Sequence, residues 1–184
     1  MTQTEWPPII DVGDGLALRA PDPIDAEAVA DAINSSLDHL RPFMAWATGS
    51  TTVDQQAVRL AIGREAFDVG ADSVYTIFDG ATVVGGMGLH RRGGPCDLEI
   101  GYWVTAGCEG RGIITRCARA LVALAFEGPV DRVVIRCDAG NVRSAAVPER
   151  LGFAFSHIEE VEPAAPANTG RMMVWELRRP AGLQ

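Results

Sequence analysis

Two β-rich runs separated by a tight-turn dipeptide constrain the fold more than any other feature of the chain. Residues 73–78 and 82–89 are rich in β-branched and apolar side chains, and Asp79-Gly80 stands between them. Asp-Gly suits the positive φ angles of a two-residue hairpin turn. The two runs are therefore predicted to pair as antiparallel neighbours in a sheet.

The first third of the chain predicts a strand followed by two helices. Residues 16–20 form a short β-like run. Apolar spacing typical of a helix begins at Asp25, and Thr52 is placed to cap a second helix that reaches Asp68. Pro42 prevents one continuous helix and predicts a bend between the two.

The rest of the chain continues to alternate strands and helices. The predicted elements are a strand at 98–104, a helix at 112–126, a strand at 130–137, a helix at 142–151, and strands at 153–161 and 171–177. The order βαα, βββ, α, β, α, ββ predicts an α/β (α+β) fold with one domain over residues 1–184, in which helices flank a mixed, mostly antiparallel central sheet. Residues 1–13 are expected to be an irregular N-terminal arm.

Length and charge narrow the classes of partner. The 184 residues suit one hydrophobic core, and a formal net charge of −8 disfavours nucleic acid while suiting a cationic or amine-bearing partner. Residues 1–8 lack the basic and apolar regions of a signal peptide, and the apolar run 120–126 is too short to cross a bilayer. We therefore expect a cytoplasmic protein with no membrane partner.

The cysteines and histidines lack the spacing of a metal site or of a disulfide framework. They are Cys96, Cys108, Cys117, Cys137, His39, His90 and His157. No metal is expected, and buried thiols are the simpler interpretation of the cysteines. Cys108 is set apart because it lies beside the glycine turn described next, where a thiol that carries a transferred group is the alternative to a buried one.

A strand that leads through a glycine turn into a helix provides a candidate anion site. The turn contains Gly110 and Gly112, and the helix follows directly. Unpaired N–H groups and the positive end of the helix dipole converge at such a point, which suits a pyrophosphate. Arg111 adds charge and Thr115 adds a hydroxyl. The same turn also occurs as a purely structural feature, and the absence of the full G-x-G-x-x-G pattern disfavours a nicotinamide-dependent enzyme.

A second polar pair stands at the start of the helix predicted at 142–151. Asn141 precedes the helix and Ser144 follows one turn later, so both side chains are able to face one ligand. The alternative is that Asn141 is only an N-cap and Ser144 only a tolerated helical residue.

Taken together, these motifs resemble the GNAT superfamily of N-acetyltransferases, in particular its RimJ/RimL-like branch. The motifs are Ile100-Gly101-Tyr102-Trp103, Glu109-Gly110-Arg111-Gly112-Ile113, and Asn141-x-x-Ser144 followed by Leu151-Gly152-Phe153. The resemblance runs from about residue 16 to residue 177. It implies the GNAT fold and, as donor substrate, acetyl-CoA or another acyl-CoA such as succinyl-CoA.

The resemblance also implies where coenzyme A binds. In that family the turn and the helix start hold the pyrophosphate, and the preceding strand pairs with the pantetheine arm. The residues at these positions are Tyr102, Trp103, Val104, Glu109, Gly110, Arg111, Gly112, Ile113, Ile114, Thr115, Asn141 and Ser144. Glu109 and Ile114 depart from the family pattern at its first and last positions. Main-chain N–H groups form the cradle, so Glu109 is able to point away without abolishing binding, although an acidic residue there is unfavourable for affinity.

The proton transfers are assigned by the same resemblance. Pro148 stands where many GNAT enzymes have a tyrosine acid, and the RimL-like branch is thought to use a serine that matches Ser144. Ser144 is therefore the candidate donor to the leaving thiolate, and Glu99 is the candidate base, directly or through water. An exposed ion-paired strand residue is the alternative for Glu99. A backbone N–H at Trp103 or Val104 is expected to polarise the thioester carbonyl.

The acceptor pocket is predicted from residues 37–46 and the loop 162–170. The candidate lining residues are His39, Arg41, Phe43 and Trp46, although aromatic residues of this kind also occur in cores. The expected acceptor is a protein N-terminus or an amine-bearing small molecule, and a homodimer is a further possibility. The alternative of another functional class is a regulatory module that binds acyl-CoA with little turnover.

Overall fold

A computed structural model describes residues 6–94 and 96–180. The strands are β1 (Ile9–Gly13), β2 (Leu16–Arg19), β3 (Ser73–Asp79), β4 (Thr82–His90), β5 (Asp97–Val104), β6 (Arg132–Asp138), β7 (Ala154–Glu160) and β8 (Arg171–Arg178). The α-helices are α1 (Ala26–Ser35), α2 (Leu37–Leu40), α3 (Val53–Asp68), α4 (Ile113–Glu127) and α5 (Val142–Arg150), and a 3₁₀ turn covers Pro23–Asp25.

The eight strands form one sheet in the order β1-β2-β3-β4-β5-β6-β8-β7. Every neighbouring pair is antiparallel except β5 and β6. The predicted hairpin is confirmed, with Asp79 opposite Thr82 and Gly80 in the turn at a φ of 60°. The predicted fold class, a mixed and mostly antiparallel sheet with helices on its faces, is confirmed.

The N-terminal arm differs from the expectation. The prediction of an irregular arm is wrong for residues 9–13, because they form the edge strand β1 opposite β2. The Ala20 N–H donates to the Pro8 carbonyl oxygen at 2.8 Å and extends this pairing. Only Ile10 and Val12 of the strand pack on the core, so its sequence pattern is weak. Residues 1–5 of the predicted arm lie outside the described residues.

The β5–β6 pair opens the sheet near its centre. The two strands are parallel because α4 crosses over between them, and they pair only from Asp97 to Ile100. Residues 101–104 of β5 pair with β4 on one side and have no partner in β6 on the other. A wedge-shaped opening therefore lies between the carboxyl-terminal halves of β5 and β6.

Different helices cover the two faces of the sheet. Leu98 and Ile100 of β5 share the main core with Leu121 of α4. On the opposite face a second cluster joins α1 and α3 to β3 and β4, and Trp103 packs against its edge. Within residues 6–94 and 96–180, no helix is long and apolar enough to cross a membrane.

Candidate active site

A cavity of about 1270 Å³ lies at the opening between β5 and β6. The carboxyl-terminal half of β5, the glycine turn, the start of α4 and one side of α5 form its walls, and α2 with the segment after it closes one end. The cavity is lined by most of the residues that the resemblance implies for coenzyme A, namely Tyr102, Trp103, Val104, Glu109, Gly110, Gly112, Ile113, Ile114, Thr115, Asn141 and Ser144.

The glycine turn presents bare main chain to this cavity. Gly110 and Gly112 have φ angles of 73° and 75°, in the left-handed region that favours glycine. Gly112 is the N-cap of α4, and no side chain caps the helix. The first N–H groups of a 15-residue helix therefore face the cavity without a side-chain acceptor, which is the arrangement that binds an anion.

The charges around the turn differ from the expectation in one respect. Arg111 does not line the cavity, because its guanidinium donates to the Asp79 carboxylate at 2.8 Å. The arginines that line the cavity are Arg143, Arg150 and Arg116, and of these the Arg116 guanidinium donates to the Asp14 carboxylate at 3.0 Å and to the Gly13 carbonyl oxygen at 2.7 Å.

Glu109 does not point away from the cavity. Its carboxylate lies 3.3 Å from the Arg143 guanidinium and 3.4 Å from His39 Nδ1. Backbone N–H donors, and then the charges of His39 and Arg143, hold the pKa of Glu109 below its usual range despite partial burial. An ionised carboxylate therefore stands at the rim of the anion site.

The register of β5 decides which N–H groups face the opening. The Thr105 N–H donates to the Val84 carbonyl oxygen of β4 at 2.9 Å. Hydrogen-bonding residues alternate along an antiparallel pair, so the Trp103 N–H also points to β4. The N–H groups of Tyr102 and Val104 then point toward the cavity. Of the two expected oxyanion donors, Val104 is the one with a suitable direction.

The start of α5 brings a hydroxyl pair into the cavity. The Asn141 side-chain oxygen accepts from the Ser144 N–H at 3.1 Å, so Asn141 is an N-cap, and it also lines the cavity. Ser144 Oγ donates to the Tyr102 hydroxyl at 3.0 Å. Burial raises the pKa of Tyr102 well above its usual range, so the phenol stays protonated. Burial likewise raises the pKa of the neighbouring Cys137 thiol to about 11.

Two of the four residues predicted to bind the acceptor lie at the cavity. His39 and Phe43 line the cavity, whereas Arg41 is exposed and pairs with Asp38 at 3.4 Å. Trp46 also lies outside the cavity lining and is 42% exposed. Its ring packs edge-on against Trp103, with ring centroids 5.9 Å apart.

The loop at 162–170 supports the segment after α2, which closes one end of the cavity. The Ala167 N–H donates to the Pro42 carbonyl oxygen at 2.8 Å, which joins the loop to the segment after α2. Asp138, at the end of β6, accepts from the Thr169 N–H and hydroxyl, both at 2.9 Å. Ala167 and Thr169 do not contribute to the cavity lining, so the loop supports the segment after α2 without forming the cavity surface.

Glu99 is not brought to the cavity lining. It points to the sheet face opposite α4, and its carboxylate accepts from the Arg92 guanidinium at 3.0 Å. Its side chain is 15% exposed and that of Arg92 is 62% exposed. The geometry is that of the ion-paired alternative, since Glu99 lies in the part of β5 that pairs with β6 and its carboxylate is outside the cavity lining.

The cysteines are free thiols, and two of them are buried. Cys117 and Cys137 are buried, whereas Cys96 and Cys108 are partly exposed. Cys108 lines the cavity and its sulfur lies 3.6 Å from the Arg111 guanidinium. The described part of the chain holds no group of three or more His, Cys, Asp or Glu side chains arranged for a metal ion.

Sequence reasoning missed several lining residues. Arg143 and Arg150 lie on the same side of α5 as Ser144 and Val147, at helical spacing, which was a readable signal. Gly140 had no such signal. A Cβ there would lie 3.0 Å from the Thr169 methyl group and 3.1 Å from an Asp138 oxygen, so its need for glycine arises from tertiary contacts.

Comparisons with known proteins agree with this geometry. A family model described as an acetyltransferase (GNAT) domain matches residues 16–154. The chain is 32% identical over 146 residues to YdaF of Bacillus subtilis (strain 168), with 77% of this chain and 79% of YdaF covered. The assignment of YdaF as a ribosomal N-acetyltransferase is itself provisional.

Two solved structures share the fold. The ribosomal L7/L12 α-N-protein acetyltransferase RimL, solved with coenzyme A, matches with a TM-score of 0.85 at 22% identity over 92% of this chain and 97% of that one. The microcin C7 self-immunity acetyltransferase MccE, solved with acetyl-CoA and AMP, matches with a TM-score of 0.86 at 20% identity over 95% and 98% of the two chains.

Proposed function

The chain belongs to the GNAT acetyltransferase family, and on that premise we propose that it transfers an acetyl group from acetyl-CoA to the N-terminal α-amine of a ribosomal protein. Family membership makes it an acyl-CoA-dependent N-acetyltransferase. The observation that carries the proposal is the cavity that joins the uncapped start of α4 to the opening between β5 and β6. A phosphate-bearing thioester and an amine are able to meet there.

The residues present fit coenzyme A. Its pyrophosphate would accept from the free N–H groups of α4, and Arg143 and Arg150 would add charge from α5. The pantetheine arm would extend along residues 102–104, where β5 has no partner in β6. The Glu109 carboxylate would repel the phosphates of coenzyme A. Its ion pair with Arg143 would therefore either rearrange when coenzyme A binds or persist beside the phosphates.

The hydroxyl pair would serve the leaving group. When the amine attacks the thioester carbonyl, the developing oxyanion would accept from the Val104 N–H. Collapse of the tetrahedral intermediate breaks the C–S bond, and the thiolate takes a proton from Ser144, with Tyr102 holding that hydroxyl in place. Glu99 would assist proton removal from the amine through water, since its carboxylate is held by Arg92 outside the cavity lining.

The choice of acceptor rests on the similarity to YdaF, because the RimL and MccE structures are only 22% and 20% identical to this chain. An α-amine has a pKa of about 8, so a useful fraction is neutral near physiological pH. The net charge of −8 favours basic ribosomal proteins. A small-molecule amine, a succinyl donor, a cytoplasmic location and a homodimer stay predictions.

The test is an acetylation assay on matched peptides. The purified chain is incubated with acetyl-CoA and peptides that copy the N-termini of ribosomal proteins, and products are followed by mass and by release of free thiol. The control is each peptide with a blocked N-terminus and its lysines intact. Acetylation of the free but not of the blocked peptide supports the proposal.

Two results would contradict it. Equal acetylation of free and blocked peptides would move the reaction to lysine side chains. Stabilisation of the chain by acetyl-CoA in thermal unfolding, with no turnover on any peptide or small amine, would favour the regulatory module that Glu109 at the anion site suggests. The same assay with succinyl-CoA in place of acetyl-CoA shows which of the two acyl donors the protein uses.

A further inference from the structure

Side chains from three separate elements meet in a bridge at the rim of the cavity. One carboxylate oxygen of Glu109, in the glycine turn, lies 3.3 Å from the Arg143 guanidinium of α5 and 3.4 Å from His39 Nδ1 of α2. All three residues line the cavity. The bridge therefore joins the end of the cavity that α2 closes to the wall that α5 forms.

The carboxylate is held from the side of the turn and of α2. The backbone N–H groups of Gly107 and Glu109 donate to it. The turn itself is tied to α2, because the Ala106 N–H donates to Ser36 Oγ at 3.0 Å and Ser36 is buried. The place of the carboxylate beside α2 therefore does not depend on Arg143.

Arg143 is the member of the bridge that is free to move. Its side chain is 75% exposed, against 25% for that of Glu109. Within residues 6–94 and 96–180 it makes no other hydrogen bond or ion pair. An exposed ion pair contributes little to stability, whereas a guanidinium binds phosphate oxygens strongly. When the pyrophosphate of acetyl-CoA occupies the anion site, Arg143 would turn to it and leave Glu109.

Glu109 would then be an ionised carboxylate without its cation. The arginines of the two elements that hold it already have carboxylate partners. Arg41, at the end of α2, pairs with Asp38 at 3.4 Å, and Arg111, in the turn, pairs with Asp79 at 2.8 Å. The negative charge beside α2 is therefore left for a cation that comes from outside the chain.

We propose that Glu109 binds a positively charged side chain of the acceptor, and that it is released for this role once Arg143 has turned to the phosphates of acetyl-CoA. The inference rests on the proposed acetyl transfer and deepens it by naming an acceptor class, N-termini that are closely followed by lysine or arginine. The cation is not the reacting amine, because that amine would meet the thioester at Val104 of β5, whereas Glu109 lies beyond the strand in the glycine turn.

The bridge makes the binding of donor and acceptor cooperative. Linkage requires that coenzyme A and a basic peptide tighten each other's binding by the same factor. We expect a factor of about five, the upper range for one partly exposed ion pair. A peptide without the basic side chain should bind equally well with and without coenzyme A.

The first experiment is calorimetric titration of the full chain with pairs of peptides. One peptide of each pair has lysine at the second, third or fourth position, and the other has norleucine there, which keeps the aliphatic chain without the charge. Coenzyme A stands in for the donor, because it carries the phosphates but no acyl group to transfer. Coenzyme A should tighten the binding of a lysine peptide about fivefold and leave that of its norleucine partner unchanged.

The second experiment repeats the titrations with three variants. E109Q should lose both the coupling and the preference for lysine. E159Q is the matched control, because one Glu159 oxygen lies 3.3 Å from both Arg136 and His157 in a similar bridge outside the cavity lining, and it should behave as wild type. R143A should bind the lysine peptide tightly even without coenzyme A, since its Glu109 has no arginine to lose. Thermal unfolding verifies that each variant folds.

The outcomes separate this inference from the proposed function. If wild-type protein acetylates neither peptide of any pair, the proposed function fails. If it acetylates them but E109Q keeps the wild-type preference for lysine, Glu109 does not bind the acceptor and this inference is wrong. If R143A shows the same coupling as wild type, the donor does not act through Arg143, and the inference is again overturned.

Discussion

Ser144 Oγ lies 3.0 Å from the Tyr102 hydroxyl, which in turn donates to the Ser144 carbonyl oxygen at 3.0 Å. The pair joins the half of β5 that has no partner in β6 to the first turn of α5. The two residues are far apart in the chain, and the sequence assigned them separate roles by resemblance. The structure joins them into one hydrogen-bonded unit, and in the proposed reaction Tyr102 would orient the hydroxyl that serves the leaving thiolate.

We expect S144A to lower kcat about 10²-fold, the scale of a lost general acid, with binding of acetyl-CoA retained. Y102F should lower kcat less, since the serine hydroxyl remains but loses its partner. The double variant should lose no more than S144A alone, because both substitutions remove the same unit. Steady-state kinetics with thermal shift by acetyl-CoA measures this. Additive losses would mean that the two hydroxyls act independently.

The glycine turn yields a prediction about binding. G112A forces a Cβ into the left-handed region at a φ of 75°, which costs roughly 1–2 kcal/mol or rotates the N–H groups at the start of α4. Affinity for acetyl-CoA should fall about tenfold, the equivalent of about 1.4 kcal/mol. G80A is the matched control, with a φ of 60° in the β3–β4 turn and open space around its Cβ. Calorimetric titration compares them, and equal affinities would remove the turn from the binding site.

Removing the charge of Glu109 should strengthen the binding of acetyl-CoA, whereas G112A should weaken it. The carboxylate pairs with Arg143 and stands at the anion site, so E109Q should free the guanidinium and remove a repulsion. Acetyl-CoA should bind severalfold more tightly to E109Q and severalfold more weakly to R143A, with both differences shrinking at high salt. Titration at two salt concentrations measures this. Weaker binding by E109Q would mean that the carboxylate organises the cradle through its backbone contacts.

The sequence predicted the parts of the site that are set by local pattern. The strand, the glycine turn and the start of α4 are contiguous, so Gly110 and Gly112 were found from their spacing and Tyr102 from the resemblance, and all three line one cavity. Predictions failed where a distant residue decides the outcome. Arg111 lies in the turn, but Asp79 of the β3–β4 hairpin takes its guanidinium away from the cavity.

A tertiary contact also explains the outcome for Glu99. Glu99 matches the acidic position of the motif, but Arg92, in the segment after β4, binds its carboxylate. This relation has no period or spacing that could be read from the chain.

The final prediction concerns Asp138, which makes the free energy of unfolding depend on pH and anchors the loop at 162–170. Asp138 is buried at the end of β6, where it accepts hydrogen bonds from Thr169 and from the Gly140 N–H. Burial works to raise its pKa, but these hydrogen bonds outweigh it and hold the pKa below the usual range. A depressed pKa in the folded state means that the stabilisation is present above the unfolded pKa of about 3.9 and is lost as pH falls through the folded value.

D138N should therefore lower the free energy of unfolding at pH 7 by about 1–3 kcal/mol, because donors in the loop at 162–170 lose a charged acceptor. The difference from wild type should begin to shrink below about pH 4, where the unfolded wild-type chain binds the proton, and should disappear only as pH falls through the lower folded-state pKa. Denaturant unfolding from pH 7 to pH 3 measures it, with D131N as the control, since Asp131 is 69% exposed and pairs loosely with Arg179 at 3.6 Å. The Ala167–Pro42 hydrogen bond links this loop to the segment after α2, where the acceptor is proposed to bind. D138N should therefore also raise the KM for the acceptor peptide and leave the KM for acetyl-CoA unchanged. A difference in stability that does not vary with pH would show that the carboxylate charge at Asp138 contributes nothing beyond its shape.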